Sequence, residues 1–281
     1  MKLIQKIAVA YIRTRLRILT LISKKKAAQS AFQLFCTPQI RNRNTIPAAF
    51  RKADPVSFTF SNNRIAGYRW NKGAARKALI VHGFESSVIN FDHFVQPLID
   101  KGYEVLAFDA PAHGRSGGKQ INALIYRDFI KHIYQHFGPI QSWIAHSFGG
   151  LAVCLALAEL PHSKEDRVIL VAPATDSTTA LAHFFNFLHI RNAEVKKGVE
   201  KIIYDLTGKP LSWFTIPRTL TGIHTRILWI HDQDDTITPL KDVQIIRNAN
   251  YAGINFVITQ GLGHRRIYRD ATTCKTIVDF L

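Results

Sequence analysis

Short apolar runs recur from residue 77 to residue 260, and the stretches between them carry mostly helical periodicity. The runs are KALIVHG (77 to 83), YEVLAFD (103 to 109), SWIAHS (142 to 147), RVILVAP (167 to 173), RILWIHD (226 to 232) and INFVITQ (254 to 260). A strand that is apolar at nearly every position is buried on both sides, so strands of this kind alternating with helices predict a mostly parallel sheet with helices on both faces. Ahead of them, VSFTF (56 to 60) and RIAGYRW (64 to 70) flank an Asn-Asn turn and predict an antiparallel hairpin. The fold class that follows is α/β, in one domain over residues 54 to 281, with no internal repeat or low-complexity segment.

The N-terminal pattern has a different period. At 100° per residue, Lys2, Lys6, Arg13, Arg17 and Lys24 share one narrow stripe, and Ile4, Ile7, Tyr11, Ile18 and Ile22 share the opposite one; Arg15 is the exception. This predicts a basic amphipathic helix. Arg13, Arg15 and Arg17 interrupt it, so no apolar run approaches the roughly 20 residues that span a bilayer, and no small-residue cleavage site marks an export signal. Residues 27 to 53, with Pro38 and the RNRN run at 41 to 44, read as a linker without an acidic residue, so residues 1 to 53 are expected to be helix and linker. Such a helix could dock its apolar side on the body or on a second copy, lie in an anionic membrane surface, or be a disordered extension.

Charge sharpens this division. Of 37 Lys+Arg and 20 Asp+Glu, residues 1 to 77 hold 17 basic and 1 acidic (Asp54), which leaves the remainder close to neutral. A cationic front on a neutral body points to anionic partners and says little about fold. The aliphatic side of the front favours lipid or protein, because the aromatics that stack single-stranded bases are scarce there; nucleic acid is not expected. Cys36, Cys154 and Cys274 are odd in number and far apart, which argues against a disulfide framework or a zinc site and fits the reducing cytoplasm, with peripheral membrane attachment left open. A metal site built on His183 and His189 lacks a third ligand.

The candidate chemistry sits at the strand ends. Ala145-His146-Ser147-Phe148-Gly149 is a relaxed G-x-S-x-G pattern that chance would supply roughly 0.2 times in such a chain. Its context is more specific than its letters: Ser147 ends an expected strand and opens the apolar helix FGGLAVCLALAEL, the setting of a nucleophile on a strained turn. A serine nucleophile needs a base, and the base an orienting acid. The strand ending HDQDDTITP supplies Asp232, Asp234 and Asp235, and the last strand is followed by GLGHRR with His264.

From about residue 55 onward the chain resembles an α/β-hydrolase of the serine-hydrolase type, similar to the serine-aminopeptidase and monoglyceride-lipase-like branch. The resemblance rests on HGFESS (82 to 87), FDAPAHGRSGG (108 to 118), AHSFGG (145 to 150), HDQDDTITP (231 to 239) and GLGHRR (261 to 266), in that order. Ala145 and Ala112 stand where the family usually has glycine, and neither departure removes a reacting group. The resemblance implies Ser147 as nucleophile, His264 as base and Asp235 as acid, with the adjacent Asp234 still open. It also implies an oxyanion hole from the backbone N–H groups of Phe84 and Phe148. His82 and His113 are expected to shape the loops, His146 to be a poor base, and Asp109 to fix a loop. Glu85 reads as a loop carboxylate, or as a contact for an amine-bearing substrate.

The resemblance further implies a helical cap at about 174 to 224. Phe184, Phe185 and Phe187 there form either the cap's own core or an apolar wall of the substrate pocket, a pocket that His82 and Glu85 would also border. The expected activity is cleavage of a carboxylic ester through an acyl-enzyme, with no cofactor and no metal, on a small ester carrying an apolar acyl or aromatic part. Thioester or amide cleavage on the same residues, a noncatalytic ligand-binding module and a membrane-tethered module are the alternatives.

Overall fold

A computed structural model describes residues 3–42 and 45–281, with side chains from residue 6 onward. In chain order the helices are α1 (Leu3–Ile22), α2 (Lys24–Phe35), α3 (Ala48–Arg51), α4 (Val95–Asp100), α5 (Ala123–Phe137), α6 (Phe148–Leu157), α7 (Ser177–Phe187), α8 (Ala193–Thr207), α9 (Ile216–Leu220), α10 (Lys241–Ala249), α11 (Gly263–Arg266) and α12 (Ala271–Phe280). The strands are β1 (Asp54–Phe60), β2 (Asn63–Trp70), β3 (Arg76–Val81), β4 (Tyr103–Phe108), β5 (Ser142–His146), β6 (Arg167–Val171), β7 (Arg226–Asp232) and β8 (Ile254–Thr259). Backbone contacts divide the described chain into two compact units, one from residues 1–37 and 176–214, the other from 38–175 and 215–281.

The larger unit holds one eight-stranded sheet in the order β1-β2-β4-β3-β5-β6-β7-β8. The β1–β2 and β2–β4 pairs are antiparallel and every other pair is parallel, as the apolar pattern predicts. β4 and β5 are buried at every residue, whereas the edge strand β1 alternates between half-buried and exposed positions. Central strands that are buried on both faces remove the most apolar surface from water, at about 25 cal/mol per Å². The hairpin is turned by Ser61 and Asn62, both at positive φ (47° and 60°), because Asn63 already pairs with Phe60. The expected Asn-Asn turn is therefore shifted by one residue.

The smaller unit contains α1, α2, α7 and α8. Ser23 caps α2 by accepting from the Lys26 N–H, and Ala27, Ala28 and Ala31 are buried. These alanines let α2 and α8 approach closely: a Cβ built on Gly198 would lie 2.7 Å from the Ala28 Cβ. The expected linker over 27 to 53 is corrected here, since α2 continues the helical part to Phe35 and α3 forms within the remainder. Residues 38–42 belong to the larger unit, where Arg41 donates to the carbonyl groups of Ser116 and Gly118 and Asn42 to Asn90 Oδ1. Arg43 and Asn44 of the RNRN run lie outside the described residues, as do Lys2 and the side chain of Ile4 from the amphipathic stripes.

Within α1, Leu16 is buried and Ile12 and Leu19 are half-buried, but Ile7, Tyr11, Ile18, Leu21 and Ile22 are 52–88% exposed. The apolar side singled out in the sequence is thus not docked on the described chain; a second apolar side of α1 takes that role.

Candidate active site

Ser147 stands between β5 and α6 with φ 55° and ψ −124°. A side chain held in this region costs on the order of 1–3 kcal/mol, which the surroundings must offset. They do so by hydrogen bonds on both sides: the Ser147 N–H donates to the Val171 carbonyl (3.1 Å), and the Ala174 N–H donates to the Ser147 carbonyl (3.0 Å). The turn also needs a glycine two residues on, because a Cβ at Gly149 would lie 2.5 Å from the His82 carbonyl oxygen. Ala145 fits fully buried inside β5. Phe148 is the first residue of α6, so its N–H has no acceptor within the helix, and the positive end of the helix dipole lies at the serine.

Three side chains from three strand ends meet in series. Ser147 Oγ lies 2.9 Å from His264 Nε2, and His264 Nδ1 lies 2.7 Å from Asp235 Oδ2. With Asp235 ionised, Nδ1 carries the proton and Nε2 is free to accept from the hydroxyl. Burial pushes the Asp235 pKa upward, but the hydrogen bond and charge of His264 and the bonds from Thr238 outweigh it and hold the carboxyl down at about 2. Its Oδ1 accepts from the N–H groups of Ile237 (2.8 Å) and Thr238 (3.0 Å). Asp234 faces a different partner, accepting at Oδ2 from the Gly261 N–H at 2.9 Å. Asp232 Oδ2 accepts from Thr259 Oγ1 (2.7 Å) and the Leu262 N–H (3.0 Å). Both hold the loop that carries His264.

Neutral imidazoles brace the loops around this series. His82, fully buried, accepts from the Ala110 N–H at Nε2 (2.9 Å), and its Nδ1 donates to the Gly83 carbonyl (2.8 Å), which joins the loop after β3 to the loop after β4. His113 donates from Nδ1 to the Pro111 carbonyl (3.0 Å) and accepts from the Glu85 N–H at Nε2 (3.0 Å), which fixes the residue after Phe84. His146 donates from Nε2 to the His264 carbonyl (2.9 Å). Burial is the largest cause in each case, and it lowers His82 to about 4 and His113 and His146 to about 3. His231 donates from Nε2 to the Thr238 carbonyl at 2.6 Å, at the end of the strand that presents Asp235.

The residues singled out in the sequence therefore separate into groups. Ser147, His264 and Asp235 come together. The half-buried rings of Phe84, on the loop after β3, and Phe148, at the start of α6, meet edge to face at 6.0 Å. Glu85 has φ 53° and accepts from the Gln39 N–H at 2.9 Å, and the buried Asp109 binds Ser87 and the Val88 and Arg115 amides. Phe184, Phe185 and Phe187 lie in the smaller unit: Phe184 packs on Phe35 at 5.2 Å, Phe185 is buried, and Phe187 is half exposed with the Arg13 guanidinium 5.7 Å from its ring.

Thr238 escaped the sequence reading. Its Oγ1 donates to Asp235 Oδ2 at 2.8 Å and lies 3.1 Å from His264 Nδ1. Its one available signal was position, three residues after the acid in a strand-end loop, where a hydroxyl can reach back. The brace roles of His146 and His231 had no sequence signal, because their partners are main-chain carbonyl groups.

The chain matches the family model for serine aminopeptidases of the S33 type over residues 73–208. It is 30% identical over 112 residues to a serine hydrolase-like protein of Dictyostelium discoideum, a match that covers 38% of this chain and 31% of that protein. The chain thus spans about a third of that relative's length. An esterase of Pyrococcus furiosus superposes with a TM-score of 0.63 at 20% identity, covering 86% of this chain and 93% of that one. Mouse alpha/beta hydrolase domain-containing protein 10 superposes with a TM-score of 0.59 at 17% identity, covering 81% and 96%. At these identities the two structures establish a shared fold.

Proposed function

We propose that this chain, an α/β hydrolase of the serine-hydrolase type, cleaves a carboxylic ester of a small molecule through an acyl-enzyme. The observation that carries the reading is the unbroken series from Ser147 Oγ through His264 to Asp235, at 2.9 and 2.7 Å, on a turn whose serine occupies the left-handed region. Ser147 Oγ attacks the ester carbonyl carbon as His264 Nε2 takes its proton, and the carbonyl electron pair moves onto oxygen. The amides of Phe84 and Phe148 receive that oxyanion. Donors of this kind are each worth about 2.7–4 kcal/mol in the transition state. The tetrahedral species then expels the alcohol oxygen, which takes the proton from His264, and leaves an ester on Ser147. Water, deprotonated by the same imidazole, attacks that ester and releases the acid and free Ser147.

Asp235 remains a carboxylate throughout and stabilises the imidazolium. The half-buried rings of Phe84 and Phe148 beside the serine favour an acyl group or aromatic acid over a charged one. Three unpaired cysteines accord with a reducing compartment, and we assign the enzyme to the cytoplasm.

The test is labelling by a fluorophosphonate probe, read by intact mass, on the wild type and Ser147→Ala, then turnover of chromogenic esters of increasing acyl length beside matched thioesters and anilides. Labelling of the wild type alone, with esters turned over fastest, is the expected result. An unlabelled wild type would overturn the acyl-enzyme, and preferred thioester or anilide turnover would overturn the substrate class.

A further inference from the structure

The exposed side of α1 differs from an ordinary surface helix in having a second apolar stripe. At 100° per residue, Leu21, Ile7, Ile18, Tyr11 and Ile22 fall within about 100° of arc, and all five are more than half exposed, from 52% at Ile18 to 88% at Leu21. The opposite side of the same helix, with Leu16 buried and Ile12 and Leu19 half-buried, already does the packing. The fold therefore does not need the exposed stripe, and water penalises it.

The cations are arranged around it. Lys6 and Arg17 follow the stripe on one flank and Arg15 on the other, all three exposed, and the exposed Lys24, Lys25 and Lys26 continue past its C-terminal end. Arg13, in contrast, is turned into the fold: its Nε and Nη2 donate to the Phe187 carbonyl at 3.2 and 2.5 Å. The structure thus withdraws one arginine and leaves Lys6 and Arg17 on one edge, and Arg15 on the other, of a strip made of four aliphatic side chains and Tyr11.

We propose that this face of α1 seats the protein on an anionic bilayer. The five apolar side chains enter the boundary between headgroups and acyl chains, and the flanking cations meet lipid phosphates. Charge complementarity selects this occupant, since residues 1 to 37 carry eight basic residues and no acidic one. A helix of 20 residues, about 30 Å long, with cations along both edges matches a planar surface that is apolar beneath and negative above. Nucleic acid offers the charge without the apolar bed. No helix among the described residues is long and apolar enough to cross a membrane, so the attachment is to one surface. This inference does not depend on the hydrolytic reading.

Sedimentation of the full chain with vesicles tests it, comparing phosphatidylcholine alone with an equal mixture of phosphatidylcholine and phosphatidylglycerol. The expected result is that the protein pellets with the mixed vesicles, is released at high salt, and binds phosphatidylcholine about tenfold less. The double variant Ile18→Asp/Leu21→Asp should lose at least about tenfold in binding with an unchanged thermal melt, since both side chains are exposed. Lys6→Glu/Arg17→Glu should show the same loss with the stripe intact. The proposal is overturned if the wild type stays in the supernatant, if the apolar double variant pellets equally, or if light scattering shows a dimer that this variant breaks while vesicles capture neither.

Discussion

Asp234 and Asp235 are adjacent, carry the same charge and both face the loop that holds His264, yet they differ in the bond each makes. Asp235 bonds the imidazole at 2.7 Å, and Asp234 bonds the Gly261 amide at 2.9 Å. Asp235→Asn should leave the loop in place but favour the wrong imidazole tautomer, and kcat should fall on the order of 10⁴-fold. Asp234→Asn keeps an oxygen that can accept from Gly261 and should cost less than about tenfold. Steady-state ester hydrolysis by the two variants checks the assignment, and equal losses would refute it. At this scale, Ser147, a following carboxylate and His264 were legible because each stands just past an apolar run, where strands end. The choice between the two carboxylates came from the family resemblance, which implies Asp235 and leaves Asp234 open; the apolar pattern could not make it, since it depends on which loop atoms fold back toward them. Thr238 was hidden for the same reason: its role is a contact with Asp235 and His264, not a spacing.

Elements fared according to how local their causes are. All six apolar runs became strands with ends within about two residues of the pattern, because burial on both faces leaves a mark at every position. α2 left no comparable mark. Its buried surface is three alanines, and what makes them buried is α8, which the chain reaches more than 150 residues later. Gly198 is the point of closest approach, and a Cβ there would press on Ala28 at 2.7 Å. Gly198→Val should therefore destabilise the smaller unit by about 1–3 kcal/mol through overpacking, although replacing glycine in a helix would otherwise stabilise it. Urea unfolding followed by helix content, with proteolysis within α2 (residues 24 to 35) as a local readout, measures this. A variant as stable as the wild type would show that α2 and α8 do not need to meet so closely.

For the whole molecule, the buried imidazoles set the response to acid. His82, His113 and His146 fall from the usual 6.5 to about 4, 3 and 3, with burial the largest cause in each. Between pH 6.5 and those values the unfolded chain binds protons that the folded chain refuses, so stability rises with pH there and is lost as pH falls below about 6.5. Each histidine contributes a slope of about 1.4 kcal/mol per pH unit. Asp109, raised by its burial, works in the opposite direction above its unfolded value, while His231 and His93, also lowered by burial, act with the three rings. Urea midpoints measured from pH 7 to pH 4 should drop steeply, and a flat profile would mean that these rings accept protons without unfolding. The pairing of α2 with α8 has one more outcome, in time rather than energy. At about 5–20 residues per second, a ribosome that has finished α2 needs roughly 8 to 30 seconds to reach α8. Through that interval the nascent chain presents α1 and the alanine face of α2 without their final partner, and any chaperone or cellular surface that binds such a segment meets it before the fold is complete.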